Sequence, residues 1–471
     1  VGEQGTKSGR IAVVGGGISG LAAANRLVEL GAADDLLLLE SRDRLGGALW
    51  TIHEKGFQIE QGVDNFISTL PWGLDLCRRL GLEDRLVQTN PDFRQTYVVR
   101  AGRLHKLPDG FLMMAPTRLW PLAVTPLLSP LGKLRCALEY FIPPSKSEAD
   151  ESMASFVRRR LGREAFERLV EPLVSAVYAA DLEKLSVEAT LSRFRDMERE
   201  HGSLVRAMRR QISARGKGQK AESGPRFSMF VTLRDGLSSL VEAIAARLPA
   251  GSVRLNTSVE RISRSGDKWQ LSLDGGQKEL VDGLILTTPS HAAARLIEPV
   301  DAELGGLLGR ITHSGTAVVS VAYRRDRIGH PMEGLGIVVP AAEKSPILAV
   351  SLSSQKYTHR APEGMVLLRV FVGGTRRPEM AEMDEAEMLP EVLSDLAKLL
   401  DIEGPPVHTR VARWPRNMPQ YHVGHKQLVA QIEARAAELP NFQLAGNSYH
   451  GVGIPDCVNC AQQAAERIAG Q

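Results

Sequence analysis

The sequence predicts a multi-domain fold of mixed class, α/β with an α+β part. A Rossmann-like dinucleotide-binding domain is assembled from both chain ends, beside a mixed-sheet second domain and an α-helical insertion. Two glycine-rich turns and one change of character predict it. Residues 10–14 read as a buried strand that meets Gly15, Gly16, Gly17, Ile18, Ser19 and Gly20, and residues 21–30 continue with apolar side chains at helical spacing. At the far end a strand at 442–444 meets a glycine-rich turn at 445–454 and a helical pattern at 455–468. Between these ends, strand patterns give way from 111 to 200 to Met-, Pro- and Leu-containing segments and helical periodicity.

The first turn is G-x-G-x-x-G in its proper context. Gly15 allows the sharp turn, Gly17 lets the backbone approach a pyrophosphate, and Gly20 lets the helix pack close to the sheet, with the helix N-terminus facing the phosphates. A second strand at 36–39 ends at Glu40, an acid placed to hydrogen-bond an adenosine ribose. The chain then reads Ser41, Arg42, Asp43, Arg44, Leu45, Gly46, Gly47, Ala48. This resembles the extended fingerprint of the flavin amine oxidase, phytoene desaturase and protoporphyrinogen oxidase superfamily, whose members hold FAD. The resemblance implies that Ser41, Arg44, Gly46, Gly47 and Ala48 serve the cofactor, Arg44 by its charge and the glycines by letting the backbone pass beside the pyrophosphate. A solvated surface charge is the ordinary alternative for Arg44.

Composition sets bounds. At 471 residues the chain can bury a sizeable core in two or three domains. With 58 Lys+Arg against 55 Asp+Glu, nothing global argues for nucleic acid. Four scattered cysteines, Cys77, Cys136, Cys457 and Cys460, make no disulfide framework and suit a reducing cytoplasm. The Cys457/Cys460 pair has no second ligand pair nearby, so two buried thiols are expected and no metal. The first ten residues lack the apolar core of a secretory signal. The uncharged stretch 119–132 is broken by Pro121, Pro126 and Pro130 and is too short to span a bilayer, which needs roughly twenty residues.

In chain order, a strand at 56–59 runs into Glu60, Gln61, Gly62, Val63, Asp64, Asn65 and Phe66, a turn that in the superfamily passes beside the flavin ring. Residues 71–80 form an amphipathic helix with Leu74, Cys77 and Leu80 on one side. A strand at 96–99 and a shorter one ending near Pro108 follow. The apolar segment 111–131 is core, substrate passage or membrane-resting face, and helical patterns cover 152–161 and 164–177. The stretch 206–226 holds Arg206, Arg209, Arg210, Arg215, Lys217, Lys220 and Arg226 against Glu222, with three glycines. It reads as a mobile basic loop, either simply solvated or attracting a polyanionic substrate.

Strands are expected at 227–233, 253–255, 259–263, 269–273 and 284–286, with a helix at 237–248 and hairpin turns at 265–267 and 274–276. The superfamily brings Val259 against the adenine side of FAD. A second sheet comprises 317–322, 336–339, 347–352 and 366–372, with helices at 292–297 and 383–400. At the last turn, Pro455 and Asp456 are helix-start signals. The positive end of that helix is expected at the flavin's pyrimidine edge, where it stabilises the reduced flavin. The expected domains are 10–72, 227–293 and 405–471 for FAD, 73–110 and 294–404 for substrate, and 111–226 for the insertion.

Met418 to His425, Gly446 to Cys457, Glu60 to Phe66 and Glu171 to Tyr178 leading to Asp181 narrow the likeness. The chain resembles the oxygen-dependent porphyrinogen oxidases, which make protoporphyrin or coproporphyrin for haem. The resemblance implies FAD-dependent removal of six electrons from a porphyrinogen as three hydrides, each passed to dioxygen to give hydrogen peroxide. The flavin performs the chemistry, so no catalytic side chain is singled out. Gly62, Val63, Gly446, Asn447, Val452, Gly453 and Ile454 are expected at the cofactor, and Thr96, Ala180, Val338 and Phe371 at the substrate. Thr96 stands where many protoporphyrinogen oxidases have an arginine, and Ala180 replaces a usual glycine. Structural roles are expected for His422 and His425, and a catalytic-base role for His450 stays open. The segments at 95–97 and 420–427 look like Gram-positive coproporphyrinogen oxidases, so coproporphyrinogen III is the expected substrate and protoporphyrinogen IX the alternative. A flavin amine oxidase or carotenoid desaturase is a remoter alternative, and a flavin-bearing scaffold without turnover is the non-enzyme one. Expected partners are the porphyrinogen and dioxygen, with peripheral contact at the inner face of the cytoplasmic membrane and transfer to the next haem-pathway enzyme.

Overall fold

The computed structural model describes residues 9–32, 35–116, 119–216 and 229–470. Its first sheet has five parallel strands in the order Val253–Arg254, Leu36–Leu39, Ile11–Val14, Gly283–Leu286, Phe442–Leu444. The three inner strands are buried along their whole length, as near-continuous apolar runs require when both faces of a parallel sheet are covered. Alternate side chains face opposite layers. Ile11, Val13, Leu36 and Leu38 pack against the helices Ile18–Glu29, Ser238–Ala245 and Ile454–Ile468, while Ala12, Val14, Leu37 and Leu39 face Ser290–Ile297, Ala302–Gly309 and the antiparallel strands Val259–Ser265, Lys268–Leu273 and Lys278–Val281. The last strand pairs with Gly283–Leu286 and the last helix packs on the first, so both chain ends build one layered unit.

The second sheet has seven strands, in the order His408–Pro419, His313–Arg324, Met365–Gly373, Ile347–Ser351, Gly336–Val338, Thr96–Arg100, Arg103–Lys106. One face buries Val319, Val321, Leu368 and Val370 against the helix Glu385–Leu400 through Met388, Val392, Leu396 and Leu400. On the other face the register aligns one row across six strands: Val98, Val338, Ala349, Phe371, Val318, Ala412. The strand His408–Pro419 was not foreseen, and it lies beyond the boundary drawn at 405. Its sequence lacks period-two alternation and contains Pro415. The sheet accepts that proline because this is an edge strand with a register shift opposite Ser314 and Thr316.

The helical insertion runs through Pro130–Ala137, Met153–Leu161, Glu171–Tyr178, Ser192–His201 and Leu204–Gly216. Two expectations need correction. The continuous helix over 164–177 contains a π-helical turn, Phe166–Val170, just before Pro172, whose missing N–H leaves a gap in the ordinary ladder. The basic segment from Arg206 is not a loop over its first half but part of the helix Leu204–Gly216, anchored by buried Leu204, Val205, Ala207 and Met208. Lys217, Lys220, Glu222 and Arg226 lie outside the described residues. The apolar segment 111–131 divides: Phe111, Met114, Leu122, Leu127 and Leu128 enter the core, whereas Trp120 and Leu131 are 76% and 78% exposed.

Candidate functional site

A cavity forms where loops leave the carboxyl ends of the parallel strands. Gly15 turns with φ +109°, and a Cβ on Gly20 would sit 1.8 Å from the Gly15 carbonyl oxygen. Gly20 is therefore a packing glycine, not a lining one. A Cβ on Gly17 would meet no atom within 4 Å, because it points into a cavity of about 600 Å³. Gly17 is the N-cap of Ile18–Glu29, no side chain caps that helix start, and its first turn contains no acid. Such a start presents unpaired N–H groups and positive potential to an anion.

Gly15, Gly17, Ile18, Ser19, Glu40, Ser41, Gly46, Gly47, Ala48, Val63, Val259, Gly446, Asn447, Val452 and Ile454 all line this one cavity. Glu40 accepts from the Gly16 N–H at 2.6 Å and the Arg42 N–H at 2.9 Å, so its carboxylate also fixes the turn opposite it. Arg44 does not line the cavity. It donates to the carbonyls of Gly47 at 2.8 Å and Leu45 at 3.2 Å and lies 4.2 Å over the Trp50 ring, so it braces the Gly46–Gly47 turn from behind. Arg42, not Arg44, is the arginine of this segment that lines the wall. Gly62 and Gly453 also sit behind the wall: a Cβ on Gly62 would lie 2.3 Å from the Ala48 carbonyl oxygen, and one on Gly453 would lie 2.9 Å from Asp456 Oδ2.

Sequence reasoning missed Thr287, Thr288, Pro289 and Arg295 on one wall and Trp414, Asn417 and Met418 on another. The former follow a strand whose place was read correctly, so the rule that ligands bind at carboxyl ends of parallel strands was the available signal. The latter sit on the unforeseen edge strand. No histidine lines the cavity. His425 stacks on Tyr421 at 3.9 Å between ring centroids and its Nε2 contacts the Tyr449 carbonyl at 3.1 Å; burial pushes its pKa down to about 4. His450 pairs with Glu433 at 2.6 Å on an exposed face. Burial pushes the Cys457 thiol up to about 12, which keeps this lining side chain neutral. Among the described residues no group of three His, Cys, Asp or Glu side chains is placed to hold a metal.

None of the four expected substrate residues lines this cavity. Val338, Ala180 and Phe371 pack in one apolar cluster with Ala349 and Val452, and Val452 also lines the first cavity. Thr96 stands opposite Gly336, two residues before Val98 along the same face. Ala180 borders a second cavity of about 440 Å³ whose rim includes Glu171 and Arg376, an ion pair joining the insertion to the second sheet.

A glycine-turn helix start, an acid at the end of the next strand and a second helix start from the far chain end, brought together around one cavity, define a dinucleotide-binding protein. The chain belongs to the family of flavin-containing amine oxidoreductases, whose profile matches residues 18–469. It is 36% identical to coproporphyrinogen III oxidase of Bacillus subtilis, covering 96% of both chains. It is 32% identical to chloroplastic protoporphyrinogen oxidase 1 of Arabidopsis thaliana, over 97% of this chain and 87% of that one. A crystal structure from Exiguobacterium sp. 255-15, described as a protoporphyrinogen oxidase, superposes with a TM-score of 0.88 at 33% identity, covering 99% of each chain. FAD is the cofactor this membership supports, and the open Gly17 position, the uncapped helix start and Glu40 fit its diphosphate and ribose.

Proposed function

We propose that the protein oxidises coproporphyrinogen III to coproporphyrin III. Bound FAD supplies hydride acceptance and electron transfer to dioxygen: six electrons and six protons leave each porphyrinogen, and three dioxygen molecules become three hydrogen peroxide molecules. The observation that carries this reading is the apolar row Val98, Val338, Ala349, Phe371, Val318, Ala412, a continuous floor that ends beside Trp414 on the cavity wall. Such a floor suits a broad apolar macrocycle and excludes water from it. Val338, Phe371 and Ala180 hold its faces, and the short hydroxyl of Thr96 offers no charge to a propionate. The full-length likeness to the Bacillus enzyme favours the tetrapropionate substrate. Protoporphyrinogen IX is the second reading, favoured by the Arabidopsis relative.

Anaerobic mixing with each porphyrinogen tests the chemistry: the flavin absorbance bleaches with the true substrate, and no bleaching with either refutes the reading. The ratio of kcat/KM for the two then assigns the substrate. A tenfold preference for protoporphyrinogen IX, about 1.4 kcal/mol of transition-state binding, reverses the assignment. No helix among the described residues is long and apolar enough to cross a membrane. Exposed Trp120, Leu131, Leu134 and Phe141 on the insertion support peripheral contact with the inner face of the cytoplasmic membrane, which would place product release near the next haem-pathway enzyme. Flotation with liposomes tests that contact.

A further inference from the structure

Behind the cofactor wall lies a buried charge cluster that the reading above does not use. Three cationic groups, Lys356 Nζ, Arg360 Nη1 and Arg369 Nη1, converge on one oxygen, Oδ2 of Asp64, at 3.4, 3.4 and 3.3 Å. Glu60, fully buried, adds one carboxylate 3.7 Å from Arg360. The side chains of Arg360 and Arg369 are 0% and 1% exposed. The two arginines stay charged and Asp64 is held well below the ordinary carboxylate range by its cations, so these three alone leave one positive charge uncompensated. Burial pushes Lys356 and Arg369 down and Glu60 up, and the high intrinsic basicity of the guanidinium keeps the arginine pair charged. Among the described residues, the Nε atoms of both arginines are buried without a hydrogen-bond partner.

The cluster is wired to the wall. Arg369 donates to the Gly62 carbonyl and Arg360 to the Asp64 carbonyl at 2.9 Å, bracketing Val63, which lines the cavity. Trp414 Nε1 donates to the Gln61 carbonyl at 2.8 Å, and the Gln61 and Val63 amides donate to Trp50 and Ala48. A wall held this firmly cannot reorient to screen what lies behind it, and at low effective dielectric a nearby positive charge acts strongly across a few ångströms.

We infer that Lys356, Arg360 and Arg369, with Asp64 and Glu60, form an electrostatic backing that favours the reduced over the oxidised cofactor. They are positioning residues that act through the wall. Hydride uptake brings two electrons and one proton, leaving the flavin ring with one more negative charge, and the cluster's surplus offsets that charge until dioxygen removes the electrons. This rests on FAD as the cofactor and not on which porphyrinogen is oxidised.

The test is a sign test on the holoenzyme. Lys356→Met removes a positive charge and Asp64→Asn removes a negative one. The flavin midpoint potential, measured by dye-coupled reduction without substrate, should fall for the first and rise for the second. Each change should correspond to about a tenfold shift in the ratio of affinities for reduced and oxidised flavin, about 30 mV for a two-electron couple. A purely structural clamp would weaken FAD binding in both variants without moving the potential in opposite directions. Glu60→Gln provides the upward arm if Asp64→Asn does not load FAD. Shifts of the same sign, shifts below threefold, or loss of FAD from all three variants overturn the proposal.

Discussion

Gly17 and Gly20 stand three residues apart in one motif and do different work. A side chain on Gly17 would enter open cavity space, whereas one on Gly20 would collide with the Gly15 carbonyl. Gly17→Val should therefore leave the apo-protein's thermal midpoint nearly unchanged and weaken FAD at least tenfold, about 1.4 kcal/mol, read by equilibrium dialysis. Gly20→Val should instead lower the apo-protein's midpoint. Glu40 combines both roles. Because it accepts the Gly16 and Arg42 amides, Glu40→Ala should lower apo-protein stability by about 1–3 kcal/mol in urea titration as well as loosening the cofactor. A variant that loses FAD with its urea midpoint intact would show that the carboxylate serves the ribose alone.

Among the elements, the helix Leu204–Gly216 depends on a residue far away in sequence. Glu139, fully buried, accepts from the Leu204 N–H at 2.8 Å, the Val205 N–H at 3.2 Å, the Ser203 hydroxyl at 2.6 Å and the buried guanidinium of Arg160. It caps the helix and fixes the exposed apolar turn Leu138–Phe141 against it. Glu139→Ala leaves the buried Arg160 guanidinium with Glu198, 3.5 Å away, as its remaining carboxylate beside the backbone carbonyls of residues 139, 142, 143 and 202, and should cost about 3–5 kcal/mol. Limited proteolysis should then cut within 138–216 while the FAD-binding layer stays intact, and Glu139→Gln, which keeps two of the acceptances, should be cut more slowly. Equal resistance of wild type and Glu139→Ala would refute this capping role. A count of arginines and glycines concealed the helix from sequence reading, because the partner that makes it helical lies more than sixty residues upstream.

At the scale of the whole molecule, legibility followed how local the deciding physics is. The Ile11–Val14 strand, its glycine turn and Glu40 announce themselves through spacing alone, and so does Phe442–Leu444 with its helix. The edge strand His408–Pro419 is set by its neighbour's register, and the roles of Arg44 and Arg42 by which way each guanidinium turns, neither of which spacing encodes. Buried histidines are equally opaque from sequence, yet they govern how the assembled layers answer to acid. His313 and His425 are held near 4 by burial, against an ordinary value of 6.5, and the partly buried His291, His330 and His422 are pushed the same way. Below pH 6.5 the unfolded chain binds protons that the native one refuses, so stability present at neutral pH is lost as pH falls from 6.5 towards 4. Each such proton contributes a slope of about 1.4 kcal/mol per pH unit. Asp64, held low, acts only below this window, while Glu60 and Asp456, pushed up by burial, oppose the histidines. The urea midpoint should therefore fall between pH 7 and pH 5, and a His313→Asn/His425→Gln double variant should show a shallower fall whatever its absolute stability. A midpoint that is flat or rising on acidification, or a double variant with an unchanged slope, would show that these imidazoles are not held neutral by the fold.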